Sequence, residues 1–225
     1  MTYEFQDYPD REMLVINLAN QLAGDLSQAL DHRERVAFAV PGGTTPGPIF
    51  DHLCAADLPW DRTDVLLTDE RWVPGDSDRS NTRLLRQRLL VNRAAEARLL
   101  PLYAPADHPE DRLEALEAAI APALPLGVVL LGMGADLHTA SIFPGADRLD
   151  DALDAKAPIL LPMRAPGAPE PRITLSARVL NGALRKHVVI FGQEKRDALE
   201  AGRNFSHAEA PVLSVLDGAT IHWAE

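Results

Sequence analysis

The chain has one cysteine, no long apolar run and few aromatic residues. With Cys54 as the only cysteine, it can form no intrachain disulfide bond, which suits a reducing compartment. No apolar stretch approaches the roughly 20 residues that a membrane-spanning helix needs. Residues 1–7 carry neither the basic segment nor the apolar run of a secretory signal. We therefore expect a cytoplasmic protein that does not bind membranes.

Basic residues are also fewer than acidic residues, and this limits which anionic ligands the chain can bind. Lys and Arg number 22 against 33 Asp and Glu, which gives a net charge of −11. A nucleic-acid binder needs a basic face toward the phosphate backbone, so we expect no nucleic-acid partner. A small phosphorylated substrate is still compatible, because it needs only a local cluster of Arg, Lys and backbone N–H groups. The histidines show no metal-ligand spacing among themselves, so we expect no metal site.

The pattern along the 225 residues predicts one α/β domain spanning 1–225. Strands are predicted at 35–40, 64–68, 127–131, 187–191 and 211–216, with a short edge strand at 220–223. Helices are predicted at 11–30, 48–56, 80–90, 110–120 and 193–201. Apolar runs that alternate with helices imply crossover connections and a mostly parallel sheet covered by helices on both faces. The proline-rich stretch 157–171 is predicted to be a long loop.

The most informative segment follows the predicted strand 127–131. Residues 132–145 read GMGADLHTASIFPG and bring two glycines, Asp136 and His138 to the end of a strand. In an open α/β sheet, ligands lie just beyond the carboxyl ends of the strands. The segment therefore predicts a catalytic loop around a small polar substrate. A helix-capping Asp beside a surface His is the alternative interpretation.

A second strand end carries the turn Gly42-Gly43-Thr44-Thr45-Pro46. Its glycines let the backbone approach a ligand closely, free N–H groups at a helix start hold anions, and the two threonines add hydroxyl donors. The spacing matches neither a Walker loop nor a dinucleotide fingerprint, so nucleotide binding is not indicated. An ordinary turn with a capping threonine fits the same residues.

A third strand end carries the charged residues Asp69, Glu70 and Arg71. The guanidinium of Arg71 suits a phosphate, and the two carboxylates could orient it or bind sugar hydroxyls. A local salt bridge at the sheet rim is the alternative. Ser80 and Asn81 follow as candidate hydroxyl and amide donors, although helix capping is favoured for Ser80.

Two further cations lie near predicted sheet ends. Arg172 begins a β-prone stretch, and Lys195 begins the helix after the strand 187–191. Either residue alone is typical of an exposed surface cation. Together with Arg71, they predict a phosphate pocket.

These segments together resemble the glucosamine-6-phosphate isomerase/6-phosphogluconolactonase family, and within it the lactonases. The order and spacing of the segments are far more specific than any one of them. The resemblance runs through most of the chain and rests on residues 41–47 (PGGTTPG), 59–62 (PWDR), 68–74 (TDERWVP), 80–81 (SN), 132–141 (GMGADLHTAS), 143–145 (FPG), 171–175 (PRITL) and 192–195 (GQEK).

The resemblance implies a fold related to ribose-5-phosphate isomerase and glucosamine-6-phosphate deaminase. It implies hydrolysis of 6-phospho-D-glucono-1,5-lactone to 6-phospho-D-gluconate, a step of the oxidative pentose phosphate pathway, without metal or organic cofactor. His138 matches the family's general base and Asp136 the carboxylate beside it. Arg71, Arg172 and Lys195 match basic residues around the substrate and its phosphate, and residues 42–44 match the loop on the phosphate side.

The chain departs from the family pattern within the Asp-x-His motif. The family usually has glycine between the two residues, and this chain has Leu137. If the position requires a positive φ, a leucine costs roughly 1–2 kcal/mol or forces another loop path. We therefore expect Leu137 to lower activity or stability without changing the reaction. Thr44, where lactonases commonly have serine, keeps the hydroxyl.

Two other functions fit parts of this pattern. A sugar-phosphate deaminase or isomerase is the first, but those deaminases carry a Glu shortly after the His, and here no carboxylate follows before Asp147. A sugar-phosphate sensor without catalytic activity is the second. Such sensors often lose the base and gain a DNA-binding segment, whereas this chain keeps His138.

Overall fold

A seven-stranded parallel sheet organises the computed structural model, which describes residues 2–225. The ten strands are β1 (Glu4–Asp7), β2 (Val36–Val40), β3 (Thr63–Leu67), β4 (Asp69–Arg71), β5 (Arg98–Leu100), β6 (Val128–Gly132), β7 (Leu160–Met163), β8 (Arg172–Leu175), β9 (Arg185–Phe191) and β10 (Thr220–Ala224). The large sheet has the order β1-β10-β9-β6-β2-β3-β5, and every neighbouring pair in it is parallel.

Within residues 2–225, seven α-helices and several short 3₁₀ segments connect these strands. The helices are α1 (Arg11–His32), α2 (Gly47–Leu53), α3 (Asn81–Arg88), α4 (Leu113–Ile120), α5 (Leu149–Leu153), α6 (Ala177–Asn181) and α7 (Gln193–Ala201). The longest, α1, begins where the Asp10 side chain accepts a hydrogen bond from the Met13 N–H. None of the helices within residues 2–225 is long and apolar enough to cross a membrane.

The central strands are covered on both faces. Every residue of β2 and β3 is buried, and so are four of the five residues of β6. Because successive side chains of a strand point to opposite faces, buried runs of this kind require packing partners above and below the sheet. The predicted mostly parallel sheet with helices on both faces is confirmed.

The strand order reverses between β2 and β6. From β2 the chain adds β3 and β5 on one side, and after crossing back it adds β6, β9 and β10 on the other. The ladder between β2 and β6 has only two registered pairs and ends at Ala39 and Val129. The point between β2 and β6 is the topological switch point, the place at which open α/β sheets bind ligands.

A small antiparallel sheet stands beyond the carboxyl end of β3. It has the order β4-β8-β7, and the chain enters it at Thr68, directly after β3. Thr68 bridges the two sheets, because its N–H donates to Val40 and its carbonyl accepts from Leu175. This second sheet was not predicted, and it carries Asp69, Arg71 and Arg172 to the edge where the large sheet ends.

Three sequence predictions were wrong. Residues 211–216 were predicted as a strand, but Pro211–Val215 is a 3₁₀ helix. Proline fixes φ near its helical value, and Ser214 Oγ donates a hydrogen bond to the Pro211 carbonyl. The predicted edge strand at 220–223 is β10, which lies inside the sheet because the unpredicted β1 covers it. The predicted loop 157–171 contains β7, whose four residues are all buried.

A chain of buried polar side chains crosses the interior at β9, β10 and α1. His187 bonds Asp25 through Nε2 at 2.8 Å and His222 through Nδ1 at 3.0 Å, and His222 Nδ1 lies 2.9 Å from the Tyr8 hydroxyl. All three contacts are satisfied when both imidazoles are neutral, with Tyr8 donating to His222, His222 to His187, and His187 to Asp25. Burial lowers the pKa of His222 from 6.5 to about 3.

We predict acid destabilisation from this depressed pKa. The unfolded chain binds a proton at His222 below pH 6.5, whereas the folded chain does so only near pH 3, so stability falls as the pH drops through this window. Between pH 7 and pH 5 the loss from this residue is about 2 kcal/mol. Urea unfolding at the two pH values measures it.

The variant His222→Gln keeps one donor and one acceptor but does not titrate. It should lose less stability than the parent over the same interval. His207→Gln, at an exposed position, is the matched control and should keep the parent's slope. An unchanged slope in His222→Gln would rule out this residue as the origin of the acid sensitivity.

Candidate active site

A cavity of about 290 Å³ opens at the switch point. Its walls come from the segments that follow β2, β6 and β9 and from the small antiparallel sheet. Most of the predicted site residues line it: Gly42, Gly43, Thr44, Thr45, Asp69, Arg71, Asn81, His138, Arg172 and Lys195. Asp136 does not line the cavity but contacts His138, which does. Ser80 does not line it.

The loop after β6 fixes the imidazole of His138. Asp136 Oδ1 lies 2.5 Å from His138 Nδ1 and also accepts the His138 backbone N–H at 3.3 Å. A carboxylate in this position makes Nδ1 the protonated nitrogen and leaves the lone pair on Nε2. Nε2 makes no hydrogen bond to the part of the chain that the structure describes. The imidazole is therefore held in one orientation at the wall of the cavity.

Gly134 makes this arrangement sterically possible. A Cβ atom at this position would overlap the His138 ring and lie 2.5 Å from Asp136 Oδ1. The Gly134 N–H donates to the His138 carbonyl at 3.0 Å, which closes the turn. The second glycine of the sequence motif is thus required by the close approach of the imidazole.

Leu137 has a positive φ of 65°, the condition under which we expected a cost. The left-handed conformation costs a leucine roughly 1–2 kcal/mol. However, its side chain is buried, and burial of a leucine contributes roughly 1.5–3 kcal/mol. Burial therefore offsets the strain. Sequence reasoning counted only the strain, because the residue that Leu137 packs on, Gly202, lies far along the chain.

Phe143 lies between the base and a cation of the cavity. Its ring centroid is 4.3 Å from that of His138, and the Arg172 Cζ lies 5.8 Å from the same centroid. The aromatic ring thus supports the imidazole and the guanidinium together. Phe143 was part of the quoted sequence pattern but was not predicted as a site residue.

Two arginines face each other across the small sheet. Arg71 on β4 is the registered partner of Arg172 on β8. Within residues 2–225, the Nε atoms of both are buried and have no hydrogen-bond partner. Burial lowers the pKa of Arg172, and the nearby charge of Asp69 opposes this shift. Like charges directly opposite on a ladder are destabilising, and an anion bound beside both would relieve the repulsion.

Of the residues that the structure describes, Asp69 is the one carboxylate that lines the cavity. It accepts hydrogen bonds from Ser141 Oγ at 2.6 Å and from Thr68 Oγ1 at 3.2 Å. Ser141 comes from the loop that carries His138, so this bond ties the small sheet to that loop. Nothing in the sequence pattern pointed to Ser141 as the partner of Asp69.

Glu70 and Ser80 are structural rather than part of the cavity. The buried Glu70 carboxylate accepts the backbone N–H groups of Arg71, Asn81 and Thr82 and the Ser80 hydroxyl. Ser80 in turn caps α3 by accepting the Arg83 N–H at 3.3 Å. The capping interpretation holds for Ser80. The suggestion that Glu70 binds sugar hydroxyls is wrong, because its oxygens are occupied by the start of α3.

The rest of the lining is suited to an anion. Lys195 makes no ion pair within the described residues and stands in the first turn of α7. The backbone N–H groups of residues 42–45 donate no hydrogen bond inside the same part of the chain. The lining thus holds three cationic side chains and one carboxylate, although the whole chain is acidic. Across residues 2–225, no three His, Cys, Asp or Glu side chains cluster as metal ligands.

The chain is similar over its whole length to proteins of known name. It is 42% identical to the 6-phosphogluconolactonase of Mesorhizobium japonicum, over 99% of this chain and 96% of that protein. The crystal structure of a 6-phosphogluconolactonase from Shewanella baltica matches with a TM-score of 0.95 at 30% identity, covering 100% of this chain and 98% of the other.

A monomeric glucosamine-6-phosphate deaminase matches with a TM-score of 0.77 at 16% identity, over 98% of this chain and 96% of the other. This match confirms the expected fold relationship to the deaminase. Residues 9–223 match the family model described as glucosamine-6-phosphate isomerases/6-phosphogluconolactonase. The chain therefore belongs to the glucosamine-6-phosphate isomerase/6-phosphogluconolactonase family.

Proposed function

We propose that the chain hydrolyses 6-phospho-D-glucono-1,5-lactone to 6-phospho-D-gluconate, as a cytoplasmic enzyme of the oxidative pentose phosphate pathway. The observation that carries this proposal is the position of a base and an anion site on one small cavity. His138, fixed by Asp136, lines the same cavity as Arg71 and Arg172, whose Nε atoms are buried and unpaired within residues 2–225.

The phosphate of the substrate binds to the cationic part of the cavity. Arg71 and Arg172 line this part of the cavity, Lys195 adds charge, and Thr44, Thr45 and the loop N–H groups complete the set. Bidentate guanidinium contacts fix the orientation of a phosphate as well as its position. Holding the distant end of the substrate places the lactone carbonyl against the base.

His138 then acts on a water molecule. Nε2 takes one proton while the water oxygen bonds to the lactone carbonyl carbon, and the carbonyl oxygen becomes an oxyanion. Asp136 stabilises the imidazolium through Nδ1 at 2.5 Å. The positive lining of the cavity stabilises the oxyanion as it forms.

Ring opening completes the reaction. The bond between the carbonyl carbon and the ring oxygen breaks, and the imidazolium returns its proton to that oxygen, which becomes a hydroxyl group. The product acid ionises at neutral pH and releases one proton for each lactone opened. Proton release therefore measures turnover directly.

The carboxylate that the deaminases carry shortly after the His has no counterpart in this cavity. The first carboxylate after His138 is Asp147, which accepts the Arg164 backbone N–H at 2.8 Å and does not line the cavity. A ring-opening proton relay would need a carboxylate beside the imidazole on the substrate side. Asp136 is bound to the opposite nitrogen, Nδ1.

We predict that His138→Ala lowers kcat for the freshly prepared lactone by about 10²–10⁴-fold, the usual contribution of a general base. Proton release at pH 7, corrected for spontaneous hydrolysis, is the measurement. His207→Ala removes an exposed histidine and should leave kcat unchanged. Equal turnover in His138→Ala and the parent would exclude the imidazole as the base.

A second prediction concerns the arginine pair. Arg172→Met removes one of two facing charges, so the ligand-free protein should melt at the same temperature as the parent or higher. The same variant should lose most of the stabilisation that 6-phosphogluconate gives, and its KM for the lactone should rise at least about tenfold. Thermal unfolding with and without 6-phosphogluconate, together with initial rates, measures these effects.

Lys156→Met is the matched control, because Lys156 is an exposed cation outside the cavity. It should keep both the ligand-induced stabilisation and the KM. If Arg172→Met retained the full stabilisation by 6-phosphogluconate, the phosphate would have to bind elsewhere.

A further inference from the structure

Leu137 connects the turn that carries His138 to the end of helix α7. Its buried side chain lies on Gly202, the residue that follows α7 directly. A Cβ atom at Gly202 would overlap Leu137 Cδ1 and lie 3.7 Å from Leu137 Cγ. The missing side chain at Gly202 therefore creates the space that Leu137 fills.

The backbone of Leu137 is held at both of its polar groups. Its N–H donates to the Gly134 carbonyl at 3.0 Å, and its carbonyl accepts the Val212 N–H at 3.0 Å. With the side-chain contact to Gly202, the residue is fixed at three points. A residue with a φ of 65° persists only where its surroundings determine its conformation in this way.

The two ends of α7 touch different parts of the site. Lys195 in its first turn lines the cavity, and Gly202 after its last turn holds Leu137. His138 follows Leu137 directly, so the backbone conformation of Leu137 sets the direction in which the imidazole points. The contact between Leu137 and Gly202 thus connects the turn that carries His138 to the helix that carries Lys195.

We propose that Leu137 is a positioning residue, which holds His138 in its catalytic direction through the contact with Gly202. This inference rests on the proposed lactonase function. The sequence led us to expect that Leu137 lowers activity or stability. The proposal reverses this expectation, because the leucine that strains the turn also holds the turn in place. Leu137→Gly should therefore lower kcat, since it removes the contact along with the strain.

The first test is a double-mutant cycle. Gly202→Ala places a methyl group where Leu137 Cδ1 lies. It should lower kcat for the lactone at least about tenfold and change KM less than about twofold. The reason is that a shift of the base affects chemistry more than binding. Adding Leu137→Gly to Gly202→Ala removes the overlap, so the double variant should be faster than Gly202→Ala. Gly24→Ala, which meets no atom within 4 Å, is the control.

A second pair of variants serves if Gly202→Ala does not fold. Leu137→Ala keeps a Cβ atom and the strain but loses the contact with Gly202, whereas Leu137→Met keeps a long apolar side chain. Leu137→Ala should show the loss of kcat, and Leu137→Met should stay within about threefold of the parent. Equal kcat values in the two variants would overturn the proposal.

A readout without substrate separates this inference from the proposed function. Proton NMR of the His138 Nδ1 proton, which faces Asp136 Oδ1 at an Nδ1–Oδ1 distance of 2.5 Å, reports the geometry of this bond. It should move or broaden in Leu137→Ala and stay in place in Leu137→Met and Gly24→Ala. If the parent does not hydrolyse the lactone, the proposed function fails, and the NMR result still decides the role of Leu137. An unmoved resonance in Leu137→Ala would contradict it.

Discussion

The site depends on the repulsion between two guanidinium groups that face each other across β4 and β8. Arg71 and Arg172 are registered partners, and within residues 2–225 their Nε atoms are buried and unpaired. Asp69 is the carboxylate that lines the same cavity. A pair of this kind lowers the stability of the empty protein and is relieved by an anion. The small antiparallel sheet brings both charges to the cavity at the crevice between β2 and β6.

His138 is held by a tight turn, whereas the two arginines are held by the small sheet. Asp136 binds both the ring and the backbone N–H of His138, and Gly134 leaves room for the imidazole. Phe143 then bridges the imidazole and Arg172, so the turn and the small sheet meet at one aromatic ring. Because each part is held by its own contacts, we infer that the base and the anion site keep their relative position before substrate binds.

The sequence predicted the parallel sheet and most of the cavity lining, because strand ends are easy to recognise and the carboxyl ends of parallel strands lie at one edge. It could not predict the small sheet, since the pairing of β4 with β8 joins residues far apart in the chain. For the same reason it missed the partner of Asp69, Ser141, and the space over Gly202 that buries Leu137. Local spacing reveals a turn or a cap, whereas contacts between distant segments appear only in the folded chain.

The most direct test of the account is the ratio of kcat/KM for 6-phospho-D-glucono-1,5-lactone to that for the same lactone without the phosphate. Both substrates offer the same carbonyl to His138, and only one can engage the arginine pair. Charge-assisted hydrogen bonds to the phosphate predict a ratio of at least about 10². A ratio near one would mean that the arginine pair does not hold the substrate, and the coupling of anion site and base would be contradicted.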